Sequence, residues 1–571
     1  MIKDKITEYP TVYDAIVIGT GISGGWATKE LCENGLKTLV LDRGRMVKHI
    51  EDYPTMYQDP WDLKHRGIKN PEDVKKQPKQ NKSYILAPTS QHWFVDDFKH
   101  PYNEPKPFDW IRGYHVGGRS LMWARQSYRL SDLDFEANKK DGYGVDWPIR
   151  YKDIAPWYDK VEEFIGVSGQ NLGLAQLPDG KLSKPMDLNC VELELQKKIK
   201  ENFDDRLLTI GRAAHKTGNA MHEGRSNCQF RNRCVRGCPF GGYFSSNSST
   251  LPAAERTGNM HLRHNSIAYE IVYDDNKGIA SGVRIIDAET HEKIFFKAAI
   301  IFCCASTIGS TSILMQSKSK RFPNGLGNDS GELGHNIMDH TSKSGASAKV
   351  EGFDDTHYKG RRPNGFYIPR FRNIDEKTKQ KRFLRGYGFQ GRASRTNWRE
   401  GMGELSFGKD LKEKLFKPGE WHIGMTGFGE CLPYHDNKIE LNYDKLDAWG
   451  LPTVDFHVTF RENEFRIKED IEQQAIAMLK AAGFKNVKGH NYKSTPGIAI
   501  HEMGSARMGH NPKTSVLNKY NQIHAVPNVY VTDGSCMTSS ACQNPSLTYM
   551  AITARAANYA ASEFHKNKKT K

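Results

Sequence analysis

Short apolar runs and helix-periodic stretches alternate at both ends of the chain. Residues 14–18 (DAIVI) are apolar and β-branched and predict a buried strand. WATKELCENG beyond them predicts a helix, and KTLVLD a second strand ending at Asp42. The same strand-to-helix pattern returns at 299–314 (AIIFCCASTIGSTSIL), where Cys303 and Cys304 are expected in the core. It returns again at 527–535 (PNVYVTDGS), ahead of SLTYMAITARAANYAASEF with its apolar residues at helical spacing. Between these ends, 340–500 holds alternating segments (SGASAKVEG, NGFYIPRF, WHIGMTGFGE, KIELN, PTVDFHVTF) that predict an antiparallel sheet. NEFRIKEDIEQQAIAMLKAAG predicts an amphipathic helix with Met478 and Leu479 on its core side, and YKDIAPWYDKVEEFIG a second helix. The pattern breaks at about 46–108, which is polar and rich in Lys, Pro and Tyr. That stretch reads as a long arm packed over the body or a partner, or as a solvated excursion. The expected fold class is α/β (α+β overall): a Rossmann-like domain plus a domain with a mainly antiparallel sheet.

Composition narrows the class. With 571 residues, 37% hydrophobic and 26% charged, the chain can bury a large core and is not disordered. No run of about 18 apolar residues occurs, which excludes a membrane-spanning helix. Ten cysteines are too few for a disulfide scaffold. The net charge of +15 invites a nucleic-acid or membrane-surface reading, but the basic residues are scattered among acids and only the tail HKNKKTK is uniformly basic. The acid-containing N-terminus resembles no secretory signal.

Gly19, Gly21 and Gly24 give G-x-G-x-x-G between a strand and a helix. Glycine allows the tight turn and lets the backbone approach a diphosphate, whose charge the helix N-terminus favours. Asp42 stands where a carboxylate accepts from a ribose hydroxyl, with Arg43 beside it. Near the C-terminus, Asp533 and Gly534 end a strand, and Asn544-Pro545 opens a helix; His501 lies in HEMGSARMG.

These motifs, with GGRSLMWARQSYR at 117–129 and VTDGSCMTSSACQNPSLTYMA at 531–551, resemble the glucose–methanol–choline (GMC) oxidoreductases in content and order. The resemblance spans about residues 12–562 and implies FAD as cofactor and His501 and Asn544 as the catalytic pair. Oxidising an alcohol requires a base for the O–H proton while hydride leaves the carbon for flavin N5, and neutral imidazole suits that task near pH 7. The resemblance further implies FAD contacts at Gly117, Gly118, Ser120, Met122, Ala305 and Ser306. Some family members attach the flavin through a histidine where Met122 stands, so non-covalent FAD is expected, with His115 the one other candidate for attachment. The implied plan has an FAD domain from 1–50, 210–340 and 500–571, and a substrate domain from 51–209 and 341–499, with a flavin-contacting loop at 112–127. Glucoside 3-dehydrogenases and related sugar dehydrogenases look most similar. They imply oxidation of a sugar ring hydroxyl, C3–OH of glucose or a glucoside. Phe366, Tyr367, Gln390, Trp421, His422 and Glu430 offer stacking faces and hydrogen bonds for a sugar.

Cys228, Cys234 and Cys238 form C-x5-C-x3-C-P within the cysteine-rich loop 228–240. Three clustered thiols suit a [3Fe–4S] centre. Zinc with His215 or His222 as a further ligand, or free thiols, are the alternatives. Arg231, Arg233 and Arg236 would offset a cluster's charge or are ordinary surface arginines. Cluster-bearing relatives imply a small accessory subunit and a cytochrome c-type acceptor. With no signal of its own the protein is expected in the cytoplasm; the cluster-bearing relatives imply instead the periplasm, by co-export with a signal-bearing subunit. An oxygen-using sugar oxidase with bystander cysteines is the rival within the enzyme class.

Overall fold

The computed structural model describes residues 6–59, 61–218, 224–354, 356, 362–395, 408–416 and 419–569. Its centre is an eight-stranded sheet in which the two ends of the chain meet. Ile6–Ile18 lies parallel to Thr38–Leu41 on one side and to Lys293–Cys303 on the other, and Val526–Val531 runs parallel to the far edge of Lys293–Cys303. Met260–Arg263 extends the sheet beyond Thr38–Leu41. An antiparallel pair, Ser266–Asp274 and Ile279–Asp287, rests on the first half of Lys293–Cys303. Parallel strands covered on both faces need near-continuous apolar runs, which is why AIVI and AAIIFC read so plainly. The helices Ile22–Glu33 and Ser546–Lys569 close one face over Ala15, Val17, Val40 and Phe302, and Cys303 and Cys304 are buried.

A second, six-stranded sheet runs in the order Lys485–Asn491, Thr341–Val350, Trp421–Gly429, Tyr387–Arg395, Phe366–Ile368 and Thr209–Ile210. Its inner strands are antiparallel. Trp421, Ile423 and Met425 point into a core closed by the helix Glu462–Ala481, whose Ile467, Ile471 and Met478 are fully buried. Each such side chain contributes roughly 1.5–3 kcal/mol. The alternate positions Gly424, Thr426 and Phe428 face the other way, onto the cavity described below. Two predicted segments depart from the single-sheet expectation: Lys438–Leu446 and Pro452–His457 form a separate two-stranded sheet. Among the described residues no helix is long and apolar enough to cross a membrane.

The stretch 46–108 is an arm of turns and short helices lying over the cysteine-rich loop. Trp93 Nε1 donates to the Val235 carbonyl at 2.8 Å, and Gly237 leaves room for the Tyr53 ring. Arg231 and Arg236 donate to the carbonyls of Met56 and Gln58, while Arg233 reaches Tyr57 and the Asp59 carboxylate. The three arginines therefore do not stand free on the surface. They tie the arm down.

Candidate active site

A cavity of about 920 Å³ runs between the two sheets. At one end Gly19 has φ +97°, and a Cβ there would stand 2.5 Å from the Cys304 carbonyl oxygen; a Cβ on Gly24 would lie 1.9 Å from the Gly19 oxygen. A Cβ on Gly21 would meet nothing within 4 Å. Two of the glycines are thus required by the protein and the third opens space at the wall. The helix beginning at Ile22 has no side-chain cap, so its first amides are left for an anion. Asp42 accepts from the Thr20 amide (3.1 Å) and hydroxyl and from the Gly44 amide (2.9 Å), and burial pushes its carboxyl up to about 6. Arg43 lies 4.2 Å over the Tyr114 ring, and His100 stacks on Trp449 at 5.2 Å. This slot beside Asp42 suits a planar base.

Gly118, Ser120, Met122, Ala305, Ser306, Asp533, Gly534, Asn544 and Pro545 all line the cavity. Gly24 and Gly117 sit behind its wall; the Gly117 amide donates to Thr20 Oγ1 at 2.8 Å, and Asn247 fills the place a Cβ would need. Asp533 is buried, accepts from Ser310 and Ser535, and has its carboxyl pushed up by burial. His115 also lines the cavity. Its Nδ1 faces the Val116 carbonyl at 3.1 Å and its Nε2 is buried without a partner, while burial pushes the ring down to about 4. The size and shape of the cavity, its glycine cradle and its base slot fit FAD.

At the other end the side chains fix one another's protons. His340 Nε2 faces only carbonyl oxygens, Ala541 at 3.0 Å and Ser540 at 3.4 Å, so it carries the hydrogen. Nδ1 of that neutral ring is then an acceptor, and His501 Nδ1, 2.9 Å away, must donate to it. His501 Nε2 is left with a lone pair, 3.3 Å from Asn544 Nδ2. Gln390 Nε2 donates to Asn544 Oδ1 at 2.5 Å, which sets the amide's orientation. Burial pushes His340 down to about 4; burial, with His340 and Arg119 adding, holds His501 well below the usual range. Asp339 holds the backbone beneath, accepting from the amides of Gly497, Ala499 and His501. The preceding Ile500 has φ +64°, a strained conformation for a β-branched residue.

Of the six residues expected to meet a sugar, Phe366 and Gln390 reach the cavity. Trp421 points into the sheet–helix core, Tyr367 stacks on Tyr128 at 4.0 Å, and Glu430 is buried against Arg385. His422 shares the outward face but lies beyond the lining. His340 and Asp339 are site residues that no motif signalled, whereas the Arg119–Glu502 pair (2.8 Å) lies within two of the motifs without having been singled out.

Cys228, Cys234 and Cys238 are free thiols around one recess of about 20 Å³, room for about one water. His215 Nε2 stands 3.5 Å from Cys234 Sγ; His222 lies outside the described residues. Burial pushes the Cys228 thiol up to about 12 and raises that of Cys234. Among the described residues no three His, Cys, Asp or Glu side chains are placed to hold a metal ion. As the side chains stand, they do not fit a three-iron cluster.

The family pattern for GMC oxidoreductases matches residues 13–342 in its N-terminal part and 433–553 in its C-terminal part. The chain belongs to this family: it is a flavoprotein oxidoreductase acting on alcohol CH–OH groups. The 2-methyl-1,2-propanediol dehydrogenase of Mycolicibacterium austroafricanum is 28% identical, over 96% of this chain and 95% of that one. The fructose dehydrogenase large subunit of Gluconobacter japonicus is 26% identical, over 95% of this chain and 97% of that one. A solved structure of Aspergillus oryzae RIB40 formate oxidase superposes with a TM-score of 0.62 at 12% identity, covering 98% of this chain and 99% of that chain, and shares the fold.

Proposed function

We propose that the protein oxidises a ring hydroxyl of a sugar, C3–OH of glucose or a glucoside, to the keto-sugar. The observation that carries this reading is the His340–His501–Asn544–Gln390 chain, which leaves His501 Nε2 as the acceptor at the cavity, held by the Asn544 amide until a substrate hydroxyl takes that place. Bound FAD supplies the acceptor for the hydride. His501 Nε2 takes the hydroxyl proton, and the Asn544 amide orients the oxygen without competing for that proton. Gln390 and Asp339 keep both groups in place, and Phe366 offers a face for the ring. Met122 stands where attachment would occur, so FAD is held without a covalent bond. A small accessory subunit belongs to this reading, supported by the large-subunit name of the fructose dehydrogenase relative, and a cytochrome c-type acceptor is proposed with it.

The closed thiol recess favours a second reading of the same chemistry, in which electrons leave FAD for an external acceptor or oxygen without a cluster. Anaerobic bleaching of the flavin by a panel of mono- and disaccharides tests the oxidation. Bleaching only by simple alcohols would refute it. Iron per flavin and peroxide yield then separate the two electron routes.

A further inference from the structure

Four cations lining the cavity are neutralised by carboxylates. Arg43 is held by Asp447 at 3.9 Å, Lys82 by Asp109 at 2.5 Å, Arg112 by Asp97 at 3.5 Å and Arg119 by Glu502 at 2.8 Å. Three others, Arg125, Lys343 and Arg392, have no carboxylate partner among the described residues. Arg125 lies 4.5 Å over the Tyr243 ring, toward the cysteine-rich loop. The remaining two stand on the six-stranded sheet that forms the substrate end. The carboxylates of the lining, Asp42, Asp447 and Asp533, all lie elsewhere: in the two FAD loops or on Arg43.

Lys343 is placed there by an irregularity. The register of Thr341–Val350 against Trp421–Gly429 slips between the pairs Ser344–Gly427 and Thr341–Gly429, so Ser342 and Lys343 together oppose Phe428. Lys343 takes φ +62°, unfavourable for a residue with a Cβ. Bulges of this kind re-aim a side chain beside an active site. The Phe428 ring lies 6.0 Å from that of His501, so the bulge sets Lys343, an exposed residue of the lining, in register with the strand position next to the catalytic end. The Tyr492 amide donates to the Lys343 carbonyl at 3.0 Å, and His490 stands opposite Gly345 on the same edge. Arg392 occupies the other flank, opposite Gly424; its Nη2 donates to the Arg362 carbonyl at 3.1 Å. Gln390 and Thr426 form the rung between the two flanks.

We propose that the substrate is an anionic sugar, a sugar acid or sugar phosphate, with its negative group paired to Lys343 and its reacting hydroxyl at His501. Arg392 adds attraction from the opposite flank. This inference rests on the sugar-oxidation reading and narrows it. Both cations are exposed residues of the cavity lining, and an acidic sugar gains from them a charge-assisted hydrogen bond that a neutral one does not.

The test compares glucose and methyl glucoside with gluconate and glucose 6-phosphate. It reads KM and kcat from flavin bleaching, and binding from the perturbed flavin absorbance. The acidic sugars are expected to show KM values about tenfold or more below the neutral ones, rising with salt. Lys343→Met should raise KM for the acid by about tenfold with a much smaller change in kcat, and Lys343→Arg should restore it. Which of the two acids responds distinguishes carboxylate from phosphate. Equal KM values for neutral and acidic sugars, or no shift in Lys343→Met, would overturn the inference while leaving sugar oxidation standing. Binding of the acids without bleaching would instead refute oxidation alone, and neither binding nor bleaching would overturn both.

Discussion

A histidine serves as a base only when its lone pair points at the proton to be taken. Here that direction is set by His340, which is anchored on two carbonyl oxygens and can only accept from His501. Because burial and neighbouring positive groups disfavour imidazolium, His501 stays neutral well below pH 6.5. In the proposed mechanism activity needs the neutral ring, so the acid limb of kcat/KM is expected below pH 6.5, measurable by stopped-flow bleaching. His501→Ala should lower kcat by roughly 10²–10⁴. His340→Gln should lower kcat by about tenfold and move the acid limb upward, a shift that loss of packing alone would not produce. His501 and Asn544 were legible because each sits in its own sequence motif. His340 was not: its role exists only after folding brings it across 161 residues to His501.

At the scale of elements, the first strand–turn–helix allows a sharp comparison. Gly21→Ala meets no protein atom, so the apoprotein should keep its Tm while losing FAD affinity, because the new methyl occupies the space left at the cavity wall. Gly24→Ala would place a methyl against the Gly19 carbonyl and should lose both. Calorimetry of the apoprotein with flavin titration distinguishes them. The parallel strands were readable because burial on two faces demands continuous apolar runs. Tyr387–Arg395 lacked clean alternation, since Gly388 and Gly391 stand where Tyr367 and Phe366 pack and leave no room for side chains. Its pattern is complete only when the neighbouring strand is counted with it. The same limit misplaced Trp421, Tyr367 and Glu430: an aromatic or acidic residue in a strand has two faces to choose from, and composition does not say which is the core.

At the scale of the molecule, the arm 46–108 is held to the cysteine-rich loop largely by arginines that reach its backbone carbonyls. Arg231→Ala combined with Arg233→Ala should loosen it by about 1–3 kcal/mol. Limited proteolysis would show this as faster cleavage within 46–108 while the sheet core stays intact. Sequence could mark the arm as a break in pattern and the arginines as a cluster. It could not pair them, because each contact joins residues about 175 apart and depends on main-chain acceptors that every residue carries.

The meeting of Ile6–Ile18 with Lys293–Cys303 and Val526–Val531 in one sheet has a consequence for how the protein is made. At about 5–20 residues per second, the glycine cradle leaves the ribosome roughly half a minute to two minutes before the strand and helix that complete its cavity. A chain stalled near residue 500 should therefore not retain FAD, whereas the released chain should. Flavin capture belongs to the end of biogenesis, and the early strands must be sheltered until the last of their neighbours arrives.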